Sequence, residues 1–534
     1  LNGEVYTALT WLPMNDQSLR LGWEVILASR GYGGTAHFVV DAETGDILVR
    51  RSLTDHISSA SYRVFPSDSP SPFSPGLDSP ATNQPSIVSR SLLALSAMDT
   101  NASPQGWIPD GMNQTLGNNV DAHTDWDQNN LPDLPRPAGS PSRVFDPALD
   151  LARHPTNSAA AAVVNMFYWC NWMHDRLYQL GFNEAAGNFQ SNNFGRGGLA
   201  NDAIQADAQD PRRPNNAAFT TPPDGLPGRV EMGLFTGPVP YRDSALDTEV
   251  LLHELTHGFT RRRIGGGSGY TALQTQGLSE GWSDFFATAL LSESADSPGG
   301  GYANAAYAAF LYDDPDFREN YYYGLRRYPY STNLLKNPLT FRDIDPAQAS
   351  EHPGVPLSPL ASGTADEIHN QGEVWCAMLW EVRAKLVAKL GHAAGNALAL
   401  QLVADGETLC PPDPGFTEAR DAILLAELVN SGGLHRRELW EGFAKRGLGY
   451  SASSPDSFTT EGLVEAYDVP DALCVTPLDA WIPQGLEGGP FAPARREFVL
   501  SNHGTNTLNW TASRSDAICF ALAPSSGSLA PGAS

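Results

Sequence analysis

Residues 22–51 carry the apolar and β-branched pattern of strands, whereas a helical spacing of apolar residues takes over from about residue 244. Residues 22–27 (G-W-E-V-I-L) and 37–40 (H-F-V-V) are β-rich. Positions 41–46 (D-A-E-T-G-D) form a turn cluster and Ile47-Leu48-Val49 follows, so a small sheet closed by a hairpin is predicted. Residues 66–88 are rich in Pro and Ser and predict an extended connector. The first strong helix is predicted over 158–182, where Ser158 can cap and Gly181 stops an apolar run at helical spacing. Residues 186–228, dense in Gly, Asn, Asp and Pro, predict loops and turns, and 229–235 (R-V-E-M-G-L-F) fits one alternating strand. From about residue 244 the pattern turns helical, over 247–263, 279–293, 370–391, 394–404, 416–430 and 436–446. Beyond residue 475 it reverts: 497–500, 507–512 and 517–522 read as short strands between Gly, Asn and Ser turns, the opening of a β-sandwich cut off at Ser534.

Composition narrows this picture. A chain of 534 residues has room for two to four domains. No run of about 18 apolar residues occurs, so no membrane span is predicted. The chain starts at Leu1 without a charged segment followed by an apolar one, and it reads as the interior of a longer precursor. The excess of 60 acidic over 34 basic residues gives a net charge of -26, which repels phosphate backbones and argues against nucleic acid as a partner. Five cysteines are scattered with no C-x-x-C pair, which argues against a thiolate metal site; one or two disulfides are compatible with the count, and the pairing is unreadable.

The chemistry is concentrated in Leu252-His253-Glu254-Leu255-Thr256-His257-Gly258, an H-E-x-x-H segment. Histidines four apart lie on one helix face, so both imidazoles can reach a metal about 2.0–2.1 Å away. Glu254 then points toward the water on that metal. Asp247 sits at the positive end of the helix dipole, and Arg261-Arg262-Arg263 with Gly265-Gly266-Gly267 marks its other end. Downstream, Glu280 in L-S-E-G-W-S-D would occupy the first turn of the next helix and supply a third ligand. Asp284, one turn on, can accept a hydrogen bond from the far nitrogen of a ligand histidine. Three protein ligands leave a fourth position for water, as a catalytic zinc site requires. His369 and Tyr270 are candidate donors toward the developing oxyanion. Each of these residues has a plainer reading: solvated surface histidines, helix-capping acids, a packing tyrosine. Together they favour zinc-assisted hydrolysis with Glu254 as general base.

At these residues the chain resembles the fungalysin family of secreted zinc metallopeptidases, distantly related to thermolysin. The likeness runs from about residue 20 to 470. Besides the zinc motif it is carried by residues 177–190 (L-Y-Q-L-G-F-N-E-A-A-G-N-F-Q), the stretch 198–210 with Asn201-Asp202-Ala203, Asn215-Asn216-Ala217-Ala218-Phe219 with Pro222-Pro223-Asp224-Gly225, Arg326-Arg327-Tyr328-Pro329-Tyr330-Ser331, Leu402-Val403-Ala404-Asp405-Gly406 and 419–424 (A-R-D-A-I-L). The resemblance implies His253, His257 and Glu280 as zinc ligands, Glu254 as the catalytic acid/base and His369 as the group set against the oxyanion. It further implies that Asn216 and Ala217 hydrogen-bond the substrate backbone, with 229–235 as the edge strand pairing with the peptide, and that Arg327 holds a substrate carbonyl. The implied fold is α+β and two-lobed, like thermolysin. Residues 1–59 would be the C-terminal part of an inhibitory propeptide, with Ala60-Ser61-Tyr62-Arg63-Val64-Phe65-Pro66 similar to a mature N-terminus and cleavage near Ser59–Ala60. Residues 60–245 would form a β-rich lobe, 246–470 a helical zinc-binding lobe and 478–534 the start of a truncated β-sandwich.

The expectation is a secreted zinc metalloendopeptidase acting on proteins or peptides, with its own propeptide as inhibitor. A zinc aminopeptidase or a non-catalytic adhesin on the same fold are the alternatives. Calcium has only the acidic stretch from Asp121 to Asp127 to speak for it, which matches no calcium loop and reads as a solvated turn.

Overall fold

The computed structural model describes residues 5–15, 18–28, 35–52, 59–74, 76–95, 99–470, 472–477, 481–502, 504, 507–514, 521–531 and 533–534. The fold is α+β. At the N-terminus, β1 (Tyr6–Asn15), β2 (Ser18–Ala28), β3 (Thr35–Asp41) and β4 (Ile47–Ser52) form an antiparallel meander in chain order. The predicted turn sits between β3 and β4, where Asp41 Oδ1 accepts the amides of Glu43 and Thr44, both at 2.9 Å.

A mixed region follows. Strand β5 (Ser61–Val64) lies between β6 (Ser91–Ala94) and, further along the chain, β8 (Val144–Phe145), with β7 (Val120–Thr124) preceding β8 in sequence. Helix α1 (Ala159–Gln179) is apolar on nearly all sides and accordingly buried on nearly all sides. Its buried Asn165 accepts the Phe65 amide at 3.3 Å and donates to the Ala245 carbonyl at 2.9 Å, which ties the start of this region to the approach of the next helix. Strands β9 (Ile204–Ala208), β10 (Ala217–Thr220) and β11 (Arg229–Met232) join β7 in a four-stranded sheet of order β10-β11-β9-β7. Two of these strands fall in the stretch predicted to be loops. Strand β9 (I-Q-A-D-A) has little strand propensity of its own and is made by parallel pairing with β7 and β11.

The single strand expected at 229–235 is two strands. Met232 pairs with Ala208 and Ala217, but beyond Gly233 the short β12 (Leu234–Phe235) pairs instead with β13 (Arg242–Asp243). Strand β11 is therefore interior, and the edges of the four-stranded sheet are β10 and β7. The Pro/Ser-rich stretch is also more than a connector. The Pro70 carbonyl accepts the amide of Thr248, the Leu77 amide reaches Tyr321, and Val88 bonds back to Pro72, so the segment is laid against the helical region.

Helices then dominate: α2 (Thr248–Arg263), α3 (Leu273–Leu291), the single turn α4 (Asn320–Tyr323), α5 (Ile368–Leu390), α6 (His392–Leu409), α7 (Phe416–Ser431) and α8 (Arg436–Lys445). One hydrophobic cluster runs from Ala60 to Leu463 and includes buried side chains of α1, α2, α3, α5 and the four-stranded sheet. No described helix is long and apolar enough to cross a membrane. The C-terminal stretch carries β14 (Leu473–Thr476), β15 (Gln484–Gly485), β16 (Phe491–Ala492), β17 (Val499–Asn502), β18 (Leu508–Thr511) and β19 (Ser526–Leu529), paired two by two as β14–β17, β15–β16 and β18–β19. Most of the strand expected at 517–522 lies outside the described residues. Cys170, Cys376, Cys410 and Cys474 are free, and Cys519 lies outside the described residues.

Candidate metal centre

Helix α2 starts after Asp247, whose carboxylate accepts the Ala308 amide at 2.9 Å, and it ends where Gly265, Gly266 and Gly267 take positive φ. His253 and His257 therefore lie one turn apart on the same face. Helix α3 begins six residues earlier than expected, so Glu280 lies two turns inside it rather than in its first turn. The reason is remote: Asp413 accepts the amides of Thr271 and Ala272, and Gln274 bonds Phe416 and Thr459, which supplies an N-terminus the local sequence does not advertise. Helix α5 crosses α3 closely, because a side chain at Gly372 would meet Glu280 Cβ at 2.5 Å. This crossing brings His369, in the first turn of α5, to the same place.

The three expected ligands converge. His253, His257 and Glu280 are buried or nearly so and offer ligand atoms that all lie within 4.8 Å of one another. His253 Nε2 lies 3.2 Å from His257 Nε2 and from Glu280 Oε2, and His257 Nε2 lies 3.5 Å from Glu280 Oε1. The outer nitrogens are held elsewhere: His253 Nδ1 by Asp284 at 2.7 Å, His257 Nδ1 by the Ser279 hydroxyl at 2.9 Å with Ser283 at 3.3 Å. Both rings thus turn Nε2 inward, which is how an outer partner orients a metal-binding imidazole. Glu280 Oε2 is buried without a hydrogen-bond partner. Two inward imidazole nitrogens and a buried, unpartnered carboxylate oxygen are the donor set of a catalytic zinc site, so the residues fit the ion the motif implies.

The surroundings set the charges. Burial alone would raise the Glu280 carboxyl, but His257 and His253 hold it far below the usual carboxylate range. Burial would likewise raise Asp284, and the Arg326 guanidinium with His253 holds it low. Arg326 grips Asp284 at 2.6 and 2.8 Å, Asn304 donates to it at 2.8 Å, and the Tyr330 hydroxyl completes its shell. Burial pushes Glu254 up to about 7; the charges of His253, His369 and Arg213 pull against that and Glu280 adds to it. His369 is half-exposed, with Nε2 3.6 Å from Glu280 Oε2 and Nδ1 2.8 Å from Glu367. Burial opposes its protonation, but Glu367 and Glu280 raise its pKa above the ordinary histidine value. Tyr270 packs under Arg261, 4.4 Å from the ring centre, and burial with the charge of Glu280 pushes its phenol up to about 12. Asn216 and Ala217 lie at the start of the edge strand β10, with Asn216 exposed.

The two adjacent arginines have different partners within the chain. Arg327 donates through Nε to Glu373 at 2.8 Å and through Nη2 to the Asn370 carbonyl at 2.7 Å, pinning the start of α5. The arginine in contact with the cluster is its neighbour Arg326. The adjacent pair R-R was visible in the sequence, but which one faces α3 depends on the turn after α4. A second acidic group also gathers: Asp125, Asp207 and Asp210 offer oxygens within 4.8 Å. Asp121 and Asp125 are buried, contrary to the solvated turn expected at 121–127. Here the counter-charges are side chains. Arg136 grips Asp121 at 2.7 and 2.8 Å, Arg212 bonds Asp125, Arg229 bonds Asp207, and His123 lies between Asp121 and Asp207.

Set beside known proteins, residues 76–452 match the family described as fungalysin metallopeptidase (M36). The chain is 35% identical over 486 residues to the "Extracellular metalloproteinase mep" of Aspergillus terreus, an alignment covering 87% of this chain and 69% of that protein. It is 35% identical over 458 residues to the "Extracellular metalloproteinase" of Pyrenophora tritici-repentis, covering 82% of this chain and 63% of that one. Among solved structures it is similar to the precursor of protealysin, a metalloproteinase from Serratia proteamaculans, at a TM-score of 0.34 and 14% identity over 54% of this chain and 79% of that chain.

Proposed function

The chain belongs to the fungalysin metallopeptidase family and is a secreted metalloendopeptidase, and from that premise we propose that its ion is zinc, held by His253, His257 and Glu280. The observation that carries this reading is the inward turn of both imidazoles, each with its outer nitrogen engaged, toward an unpartnered carboxylate oxygen. When bound, zinc lowers the pKa of a water toward about 7 and polarises a carbonyl.

Glu254 takes a proton from the water that attacks the scissile carbonyl and passes it to the leaving amine as the C–N bond breaks. Its burial suits both halves of the task, because a carboxyl near neutrality gives and takes a proton with equal ease. His369, whose ring is held by Glu367 through Nδ1, donates toward the oxygen that gains charge. Arg326 acts at one remove: it fixes Asp284, and Asp284 fixes His253. Asn216 and Ala217 offer polar backbone and amide groups to an extended peptide along the edge of β10, in a cleft between a β-rich and a helical lobe. The aminopeptidase and adhesin alternatives find no support among the relatives.

The test is cleavage of casein by the matured protein before and after a zinc chelator, with readdition of zinc. Loss on chelation and recovery on readdition are expected; undiminished cleavage by the chelated, metal-free protein would sink the assignment. Residues 1–59 are, on this reading, the end of a propeptide. Ala60 is buried, and its carbonyl accepts the Leu95 amide at 3.1 Å, so cleavage just before it leaves the new terminus tucked into the β5 sheet. N-terminal sequencing of the mature enzyme should begin at or next to Ala60; a start beyond Val64 would contradict it.

A further inference from the structure

One cation at the approach to the edge strand β10 has no role assigned to it in the reaction above. Arg213 lies in the loop between β9 and β10, three residues before Asn216. Its backbone is fixed from several sides: its amide donates to Asp210 at 3.2 Å, its carbonyl accepts the Asn216 amide at 3.1 Å, and the Asn216 carbonyl accepts the Gly233 amide at 3.1 Å. Gly233 is required for this packing, since a Cβ there would lie 1.6 Å from the Arg213 carbonyl oxygen.

The side chain is fixed as well. Nε and Nη2 both donate to Glu231 Oε2, at 2.9 and 2.6 Å, and Glu231 is buried on the interior strand β11. One edge of the guanidinium is thereby anchored. The other, carried by Nη1, has no partner among the described residues, and the side chain is 34% exposed. A guanidinium clamped along one edge and open along the other, beside the edge strand, is pre-organised to take a second carboxylate.

We propose that Arg213 is a specificity-determining residue that binds a carboxylate of the peptide substrate, from an acidic side chain flanking the scissile bond or from a nearby free C-terminus. The proposal rests on the peptidase reading of the metal centre and adds a substrate preference to it. A purely structural Arg213 would serve Glu231 alone and would leave the choice among peptides unchanged.

The test uses quenched fluorescent peptides of one core sequence, assayed with the mature zinc-loaded enzyme. In one arm Glu replaces Gln at successive positions around the cleaved bond; in the other a free C-terminus replaces its amide. The acid peptide of at least one arm should be favoured roughly two- to five-fold in kcat/KM, mainly through KM, as expected for a partly exposed charge pair. The preference should shrink in high salt. It should fall toward one in Arg213→Met and be intermediate in Arg213→Lys, which keeps the charge without the fork. Wild-type enzyme that cuts acid and neutral partners alike in both arms would overturn the proposal without any variant, as would a preference undiminished in Arg213→Met. Failure to cut any peptide would instead count against the peptidase reading itself.

Discussion

Among the described residues, His253, His257 and Glu280 on one side and Asp125, Asp207 and Asp210 on the other each bring their ligand atoms within 4.8 Å of one another, and the two groups solve the problem of buried charge in opposite ways. Around Asp125, Asp207 and Asp210 the positive charge is supplied by the chain: Arg212 and Arg229 reach in directly, and His123 lies between two aspartates. Burial would lower the His123 pKa, but Asp121 and Asp207 raise it to about 9. Around Glu280, Arg326 is spent on Asp284, and the groups that face the carboxylate are the Nε2 edges of His253 and His257. Burying an uncompensated carboxylate is costly, so each cluster needs a cation. The difference lies in where the cation comes from: covalently attached side chains in one and, on the proposed reading, an exchangeable ion in the other. Proximity of carboxylates alone does not separate a metal site from an ionic core; the orientation and outer bonding of the neighbouring nitrogens do.

The sharpest way to break this comparison is at Glu254, which belongs to the first cluster without being one of its proposed ligands. Glu254→Gln should retain zinc at wild-type stoichiometry and lose about 10²–10⁴-fold in kcat, since only the proton transfer is removed. Metal content and steady-state rates on one preparation check it, and a variant that lost zinc together with activity would make Glu254 part of the ion's cage. The second cluster is probed at Asp207. Asp207→Asn should cost about 3 kcal/mol of stability, because Arg229 and His123 lose a buried partner. His123 also gives this variant a pH signature. Its pKa is raised above the unfolded value of 6.5, so its contribution is full below about 6.5 and fades as pH rises through about 9. Melting temperatures between pH 6 and 10 should show that fade in wild type and a weaker one in Asp207→Asn. Added calcium restoring the variant would place an ion where arginines now suffice.

The same contrast explains what the sequence disclosed. The H-E-x-x-H helix was legible because its ligand spacing is a local property, and α7 was legible almost to the residue because its apolar spacing is continuous between Phe416 and Ser431. The start of α3 was hidden because its N-terminal amides are satisfied by Asp413, far along the chain. Strand β9 was hidden because parallel neighbours, not its own residues, make it a strand. The break at Gly233 was hidden because the loop that needs the space precedes it by twenty residues. For the site, residue types were readable and orientations were not. Asp284 could be matched to a histidine by spacing, but the grip of Arg326 on Asp284, and the burial of Asp121 and Asp125, depend on contacts across the fold.

Asp284 sharpens the first half of the comparison with a smaller effect. Asp284→Asn keeps a partner for the His253 ring but removes the charge that Arg326 and Tyr330 share. A change of this kind typically costs 10- to 100-fold in metal affinity or activity. Zinc titration of the stripped variant should show the weakening; unchanged affinity would mean that the outer hydrogen bond to His253 contributes shape alone.

The smallest effect concerns a buried acid that follows neither pattern. Glu407 on α6 is fully buried, and burial pushes its carboxyl up from 4.5 to about 8, with the Arg263 charge only partly opposing it. It has neither a tight arginine clamp nor ligand-like neighbours, so it holds its own proton instead. The folded state then binds a proton that the unfolded state releases above about 4.5. Stability from this group is accordingly full in acid and is lost as pH climbs from about 4.5 toward 8. Glu407→Gln mimics the protonated form at every pH. It should match wild type near pH 5 and melt a few degrees higher at pH 8 to 9, a shift on the order of 1 kcal/mol. If the variant instead melts lower at pH 8 to 9, then Glu407 is ionised in the fold and paired with Arg263, a second instance of arginine neutralisation beside that of Asp125 and Asp207.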